Sequence, residues 1–177
     1  HQVVMTIRPI TEMPKETRSK GIKAITVTDL RWGRCDIKTI QLLANSMAKQ
    51  KAIEAGCDDA VFISEHGIVR EGTSSNVFIV SGKRLITHPL TENILPGITR
   101  TVIIQIGKKL GLDVNISFFN TEALYKADEV FLTGTVTEVL PVASIDGNVI
   151  GRGKAGPVSR KLYDLLRERG MSGPSDE

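Results

Sequence analysis

The chain has 177 residues, 41% of them hydrophobic and 24% charged, the balance of an ordinary soluble protein with length for one domain and a sizeable core. Its 23 basic and 20 acidic residues leave a formal net charge of +3, scattered along the chain, which argues against a nucleic-acid partner. A charged residue interrupts every apolar run before it reaches the length of a membrane span. Cys35 and Cys57 stand without a second pair or a His cluster, which fits a reduced, cytoplasmic protein better than a disulfide framework or a metal site.

Val3 to Ile7 reads as a short strand. The chain begins with His1 instead of Met and has no basic-then-apolar leader, so it is expected to be a piece truncated at its N-terminus. Arg8 to Gly21 carries Pro9, Pro14 and a run of charges, and reads as a linker or exposed loop. Ile22 to Thr28 alternates apolar and polar residues, the pattern of a half-buried strand, and Asp29 to Lys38 is irregular. From Thr39 the period becomes helical: Ile40, Leu43, Ala44, Met47, Ala48 and Ala52 recur at spacings of three and four before Gly56, a helix stop. Ala60 to Ile63 reads as a strand that turns at Glu65-His66-Gly67 into Ile68 to Arg70, followed by a polar turn from Glu71 to Asn76. Val77 to Val80 and Arg84 to Thr87 make the next hairpin, around Ser81-Gly82-Lys83.

Pro96-Gly97-Ile98-Thr99 opens a second helix, carried by Val102, Ile103, Ile106 and Leu110 and stopped by Gly111. Strands over Val114 to Phe118 and Glu129 to Leu132 flank a short helix around Thr121 to Tyr125. Val139 to Ile145 and Val149-Ile150 pair around Asp146-Gly147, and a last helix runs from Val158 to Arg169. The polar tail, residues 170–177, is expected to be disordered. Many strands in hairpins, broken by three longer helices, predict a mixed α/β (α+β) domain over residues 21–169, not a regular doubly wound sheet.

Four segments offer chemistry. Lys38 lies between an irregular loop and a helix whose apolar face follows at once, so its stem is expected to be partly buried. A desolvated lysine has the lowered pKa that a Schiff-base nucleophile needs, although a lysine at a helix start, taken alone, is far more often a solvated surface residue. Glu71-Gly72-Thr73-Ser74-Ser75-Asn76 puts a carboxylate ahead of a turn dense in hydroxyls and amides. It is either a surface turn that caps itself, or a carboxylate that keeps a heterocycle's ring nitrogen protonated so that the ring withdraws electrons.

In Leu95-Pro96-Gly97-Ile98-Thr99-Arg100, Gly97 allows close backbone approach and Thr99 sets a hydroxyl beside the free amides of a helix start, which suits a phosphate. The plainer reading is a helix start with no ligand. Thr133-Gly134-Thr135-Val136-Thr137-Glu138 is either a bulged turn or a second set of donors to the same phosphate. Each signal is weak alone and gains from appearing with the others in order.

The run Arg31-Trp32-Gly33-Arg34-Cys35-Asp36-Ile37-Lys38 resembles the signature around the cofactor lysine of the D-amino-acid aminotransferases, within the fold-type IV pyridoxal-phosphate enzymes. The Glu71–Phe78 segment, Thr87-His88-Pro89, Ile94 to Arg100 and Asp128-Glu129-Val130-Phe131 match in order and approximate spacing, so the resemblance covers Gly21 to about Leu166. It implies a C-terminal cofactor-binding domain, a hairpin-rich pseudo-barrel sheet with about three longer helices. Residues 1–20 would then be the end of an N-terminal domain and a linker, the rest of that domain being absent.

The implied cofactor is pyridoxal 5′-phosphate, with no metal. Lys38 would bind it as a Schiff base and move the substrate's α-proton, and Glu71 would pair with the ring nitrogen, buttressed by Arg31. Leu95 would pack on one ring face, while Gly97, Ile98, Thr99 and Thr135 would hold the phosphate. Ser74, Ser75 and Val136 would lie toward the substrate.

Leu43 stands where branched-chain aminotransferases usually place a tyrosine, whereas Gly134-Thr135 is closer to the branched-chain pattern. The activity implied is transamination between a D-amino acid (D-alanine, D-glutamate) and a 2-oxo acid such as 2-oxoglutarate. The rivals are a branched-chain or (R)-selective amine transaminase, the lyase that releases 4-aminobenzoate, and an inactive cofactor-binding fragment. A cytoplasmic homodimer, or association with a separate N-terminal fragment, is the expected assembly, with no nucleic acid and no membrane.

Overall fold

All five residues of the strand Asp59–Ile63 are buried, and its apolar side chains divide between two faces. Val61 and Ile63 point one way, into the largest apolar cluster, and Ala60 and Phe62 the other, against a helix. A strand covered on both sides has to be apolar throughout, and the two-residue side-chain period sorts its residues between the covers. The same sorting recurs around a closed ring of strands.

The structure, a computed structural model, describes residues 3–7, 9 and 12–171. The order is α1 (Lys15–Lys20), β1 (Ile22–Thr28), α2 (Leu43–Glu54), β2 (Asp59–Ile63), β3 (Val69–Gly72), β4 (Asn76–Ser81) and β5 (Arg84–Thr87). It continues with α3 (Ile98–Lys109), β6 (Asp113–Ile116), α4 (Thr121–Tyr125), β7 (Glu129–Gly134), β8 (Glu138–Ile145), β9 (Asn148–Val149) and α5 (Pro157–Met171). Strands β3-β2-β1-β8-β7-β4 follow one another, and a further pairing of β4 with β3 closes them into a six-strand barrel. β1 runs parallel to β2 and β8, the other ring pairings are antiparallel, and β5, β6 and β9 extend the sheet outside the ring.

Residues of all six ring strands, Ala24, Val61, Val69, Val77, Leu132 and Val142 among them, share the inner cluster, joined by Leu124 of α4. Outward, Phe78 and Phe131 stack with ring centroids 5.2 Å apart, in a second cluster with Ile103 of α3 and Leu162 of α5. Burying a side chain of this size contributes about 1.5–3 kcal/mol. The predicted mixed α/β class with three longer helices and a barrel-like sheet is the class observed, and no described helix is long and apolar enough to cross a membrane.

Four local expectations need correction. Val3 to Ile7 forms no strand: Val3, Val4, Met5 and Ile7 are exposed, and a strand without a paired neighbour has no partner for its amides. The expected loop before Gly21 contains α1, tied down where Arg18 donates to the Thr137 carbonyl at 3.0 Å, pairs with Glu138 at 3.1 Å and lies over the Tyr163 ring. Helix α2 starts at Leu43, not Thr39, and buries Ala48 and Ala52 while Ile40, Leu43 and Met47 stay exposed. The helical period was right and its phase was not, because small alanines allow the helix close approach to Val27, Ala60 and Phe62. The last helix continues through Gly170 to Met171, and residues 172–177 of the predicted tail lie outside the described residues.

Candidate active site

Strand register gathers the site. Asn76, first residue of β4, pairs with Glu71 on β3 to one side and with Thr133 on β7 to the other. The predicted polar turn is thus narrower than expected, Thr73 to Ser75, with Glu71 and Asn76 inside strands. A cleft of about 750 Å³ opens over this row, within the range of small-molecule sites. Arg31, Lys38, Glu71, Ser74 and Ser75 line it, together with Leu95, Gly97, Ile98, Thr99 and Thr135. Val136 is not among its lining residues. It sits in the three-residue tip between β7 and β8 and borders a smaller recess of about 250 Å³ with Arg18, Glu138 and Tyr163.

Glu71 is buried and fully engaged on its protein side. Arg31 Nη1 donates to Oε1, while Oε2 accepts from the Leu95 amide at 2.9 Å and from Asn76 Nδ2 at 3.1 Å. A carboxylate has about four lone-pair positions, so roughly one remains free to accept a further proton donor from the cleft. Burial pushes the Glu71 carboxyl above the usual range, against the pull of Arg31 and the Leu95 amide. Such a group is a stronger acceptor than an exposed glutamate while its charge stays matched by Arg31.

Asn76, to which the sequence reading gave no role of its own, holds two parts of the site together. Its Nδ2 bridges Glu71 and the Leu95 carbonyl, the latter at 2.8 Å. Its Oδ1 lies only 2.2 Å from where a Cβ on residue 97 would stand, which is why Gly97 is required there. Beyond Gly97 the first turn of α3 carries no acidic side chain and no side-chain cap, and its first amides have no partner within the helix, Thr101 being the first to donate back, to Gly97. Ser75 Oγ and Thr133 Oγ1 are buried without a hydrogen-bond partner and belong to residues lining the cleft. The tip beyond Thr133 is fixed from behind: Glu138 has φ of 55°, a conformation costing about 1 kcal/mol, and is clamped by Arg18 and Arg167.

Lys38 differs from expectation. It is exposed, because the loop runs on to Leu43 before α2 begins and no apolar face closes over its stem. Its Nζ has no hydrogen-bond or ion-pair partner among the described residues, and it lines the same cleft as Glu71 and Thr99. An unengaged primary amine, a buried acceptor with one free position, unpaired buried hydroxyls and an uncapped helix start fit a phosphorylated, nitrogen-containing ring. Asp29 and Asn76 were the residues missed, and only their side-chain types at a strand end and beside the Ser-Ser turn signalled them.

Comparison with known proteins agrees in family. The pattern described as Amino-transferase class IV matches residues 1–145. The chain is 43% identical to the D-alanine aminotransferase of Bacillus licheniformis over 171 residues, 97% of this chain and 60% of that protein. It is 41% identical to the D-alanine aminotransferase of Staphylococcus haemolyticus, over 92% of this chain and 57% of the relative. The chain therefore spans under two thirds of the length of these relatives. Among solved structures, the branched-chain amino acid aminotransferase of Thermobaculum terrenum, in its PLP-form, superposes with a TM-score of 0.79 at 32% identity, over 89% of this chain and 53% of the other. The Escherichia coli branched-chain enzyme gives a TM-score of 0.77 at 32% identity, over 89% of this chain and 55% of the other. With a matching family pattern over most of its length and relatives above 40% identity, the chain belongs to the class IV aminotransferases.

Proposed function

We propose that this chain holds pyridoxal phosphate for a transaminase that moves an amino group between a D-amino acid, D-alanine or D-glutamate, and a 2-oxo acid such as 2-oxoglutarate. The observation that carries the reading is the convergence on one cleft of Lys38, the buried Glu71 acceptor and the uncapped start of α3. D-alanine aminotransferases at 43% and 41% identity support the D-amino-acid substrate class. We further propose that residues 1–20 are the end of an N-terminal domain and a linker, and 21–169 the cofactor-holding domain. The working assembly is a cytoplasmic homodimer, for which exposed Ile40, Leu42, Leu43 and Met47 offer apolar surface beside Lys38.

When bound, pyridoxal phosphate supplies a conjugated ring that withdraws electrons from the substrate's α-carbon. Lys38 Nζ links the chain to the cofactor and takes and returns the proton at that carbon. Glu71, with its remaining acceptor position, keeps a proton on the ring nitrogen. Leu95 covers one ring face, and the amides of Ile98 and Thr99 with the hydroxyls of Thr99 and Thr135 hold the phosphate. Ser74, exposed, and Ser75, buried with an unpaired hydroxyl, border the space left for substrate. A branched-chain transaminase is the second reading, favoured by Gly134-Thr135.

The first test is the visible spectrum after pyridoxal phosphate is added and excess removed, beside Lys38→Ala. A yellow band that borohydride bleaches, and that the variant lacks, supports the role of Lys38. Two identical colourless spectra would remove it. Turnover of D-alanine against L-leucine, with 2-oxoglutarate as acceptor, then separates the two substrate readings.

A further inference from the structure

Behind Glu71 stand two charges, Asp29 and Arg70, that are not among the residues lining the cleft. The Asp29 side chain is completely buried, beside Arg31 and Glu71 at 4% and 7% exposure and Arg70 at 24%. Asp29 Oδ1 accepts from the Arg31 backbone amide at 3.0 Å and from its Nε at 2.9 Å. Asp29 Oδ2 accepts from Arg31 Nη2 at 2.8 Å and from Arg70 Nη1 at 2.7 Å. Arg31 Nη2 also reaches the Asn93 carbonyl at 3.0 Å, and the guanidinium carbon lies 4.2 Å from the centre of the Phe62 ring.

The fork of Arg31 therefore faces Asp29, through Nε and Nη2, and Glu71 receives a single N–H from Nη1. A two-pronged arginine–carboxylate pair is the stronger arrangement. Left without Asp29, the buried guanidinium would turn that fork on Glu71, the other carboxylate within reach. Arg70 competes with Arg31 for Asp29, since both donate to Oδ2, and so leaves more of the Arg31 charge for Glu71. The four groups sum to zero charge, which is the condition for keeping them all ionised under burial.

We propose that Asp29 and Arg70 are positioning residues that set, through Arg31, how strongly Glu71 holds a proton, and so how firmly the ring nitrogen of the cofactor is kept protonated. The second half rests on the functional reading above. The first half concerns only the chain's own groups.

Glu71 has ionisable groups on several sides, Asp36 and Lys49 lining the same cleft among them. Asp29 stands at the end of β1, Arg31 and Cys35 on the following loop, and Arg70 on β3. The charge of Arg70 also reaches His88, and Lys38 lines the same cleft as Glu71. Burial opposes the charge of Asp29, and the hydrogen bonds from Arg31 and Arg70 overcome it and hold its carboxyl below the usual range. Burial lifts the Cys35 thiol, leaving it neutral beside the network. Glu71 is the member whose affinity for a proton is raised, first by burial; Arg31 and the Leu95 amide oppose the rise and the charge of Asp29 adds to it.

Asp29→Asn and Arg70→Gln change the net charge in opposite senses, and a unit charge at this range moves a partly buried carboxyl by about one pH unit. The experiment follows the Glu71 carboxyl carbon by NMR across pH in the chain without added cofactor, assigned with Glu71→Gln. Its midpoint should fall by about one unit in Asp29→Asn and rise by about as much in Arg70→Gln. Unchanged midpoints, or shifts in the same direction, would overturn the proposal, since loss of mere structural support has no reason to change sign with charge. Should Asp29→Asn not fold, the upward shift in the partly exposed Arg70→Gln decides alone.

A second arm loads the same proteins with pyridoxal phosphate and reads the pH midpoint of the visible band, expected in the same order. Opposite shifts of Glu71 with no visible band in any protein would sink the cofactor reading and leave the network standing. A normal band with unmoved midpoints would sink the network and leave the cofactor reading.

Discussion

The floor and the rim of the cleft are held in contrasting ways. On the floor, Glu71 is fixed by donors from three segments, and Arg31 behind it reaches Asp29, Glu71 and the Asn93 carbonyl. On the rim, Lys38 has no polar partner among the described residues, and Ile37, Ile40, Leu42 and Leu43 around it are exposed. The floor carries its order inside this chain. The rim spends apolar surface on solvent, and its lysine is free to meet whatever enters. A group meant to hold a ring at a fixed angle needs the first kind of support. A group that bonds to the ring, leaves it and carries a proton needs the second.

The largest effect should come from breaking the floor. Arg31→Ala leaves two buried carboxylates, Asp29 and Glu71, facing each other across an empty site, with Arg70 compensating only Asp29. Removing one partner from such a set costs about 3–5 kcal/mol. Urea unfolding should show it as a large drop in midpoint, or as failure to fold. Lys38→Ala on the rim should stay within about 0.5 kcal/mol of the parent, because no described residue pairs with it. Equal losses in the two variants would erase the contrast.

A smaller effect tests the joint between the floor and the helix start. Gly97→Ala places a methyl 2.2 Å from Asn76 Oδ1, and Asn76 is held by both Glu71 and Leu95. Either Asn76 gives up its bridge or α3 shifts outward, at a cost of about 1–3 kcal/mol. Calorimetry should record the lost stability, and equilibrium dialysis should record weaker uptake of pyridoxal phosphate. An unchanged protein would mean that the contact is slack.

The same division separates what could be read in the sequence from what could not. β1 was legible from its two-residue alternation, β2, β4 and β7 from short apolar runs bounded by turn residues, and the short helix expected around Thr121 to Tyr125 is α4. The phase of α2 was not legible, since Leu43 and Met47 look like core residues and only contact with β1 and β2 selects Ala48 and Ala52. The burial expected of Lys38 failed with it. Glu71 stood out as a carboxylate before a hydroxyl-rich turn. The roles of Asn76 and Asp29 depend on which strands become neighbours, and local patterning carries no record of that. Val136 and Thr135 share the three-residue tip, but Thr135 borders both recesses and Val136 only the smaller one.

The mildest prediction concerns His88, which is buried and within electrostatic reach of Arg70. The His88 Nδ1–H donates to the Pro89 carbonyl at 2.6 Å, and the edge of the ring meets Phe118 with centroids 4.9 Å apart. Burial lowers its pKa below the ordinary 6.5, the Pro89 bond opposes this, and the nearby charges of Arg70 and Arg100 add to the lowering. The unfolded chain therefore binds a proton more readily than the folded one. Stability from neutral His88 is fully present above about pH 6.5 and is lost as pH falls toward the folded value. Glu71, with its raised carboxyl, works in the opposite sense, so the difference between parent and His88→Gln isolates the histidine. The parent's melting temperature should fall more steeply than the variant's between about pH 7 and pH 5. Parallel curves would mean that His88 reaches water as the protein stands, and that the tight packing around Glu71 does not extend to the histidine.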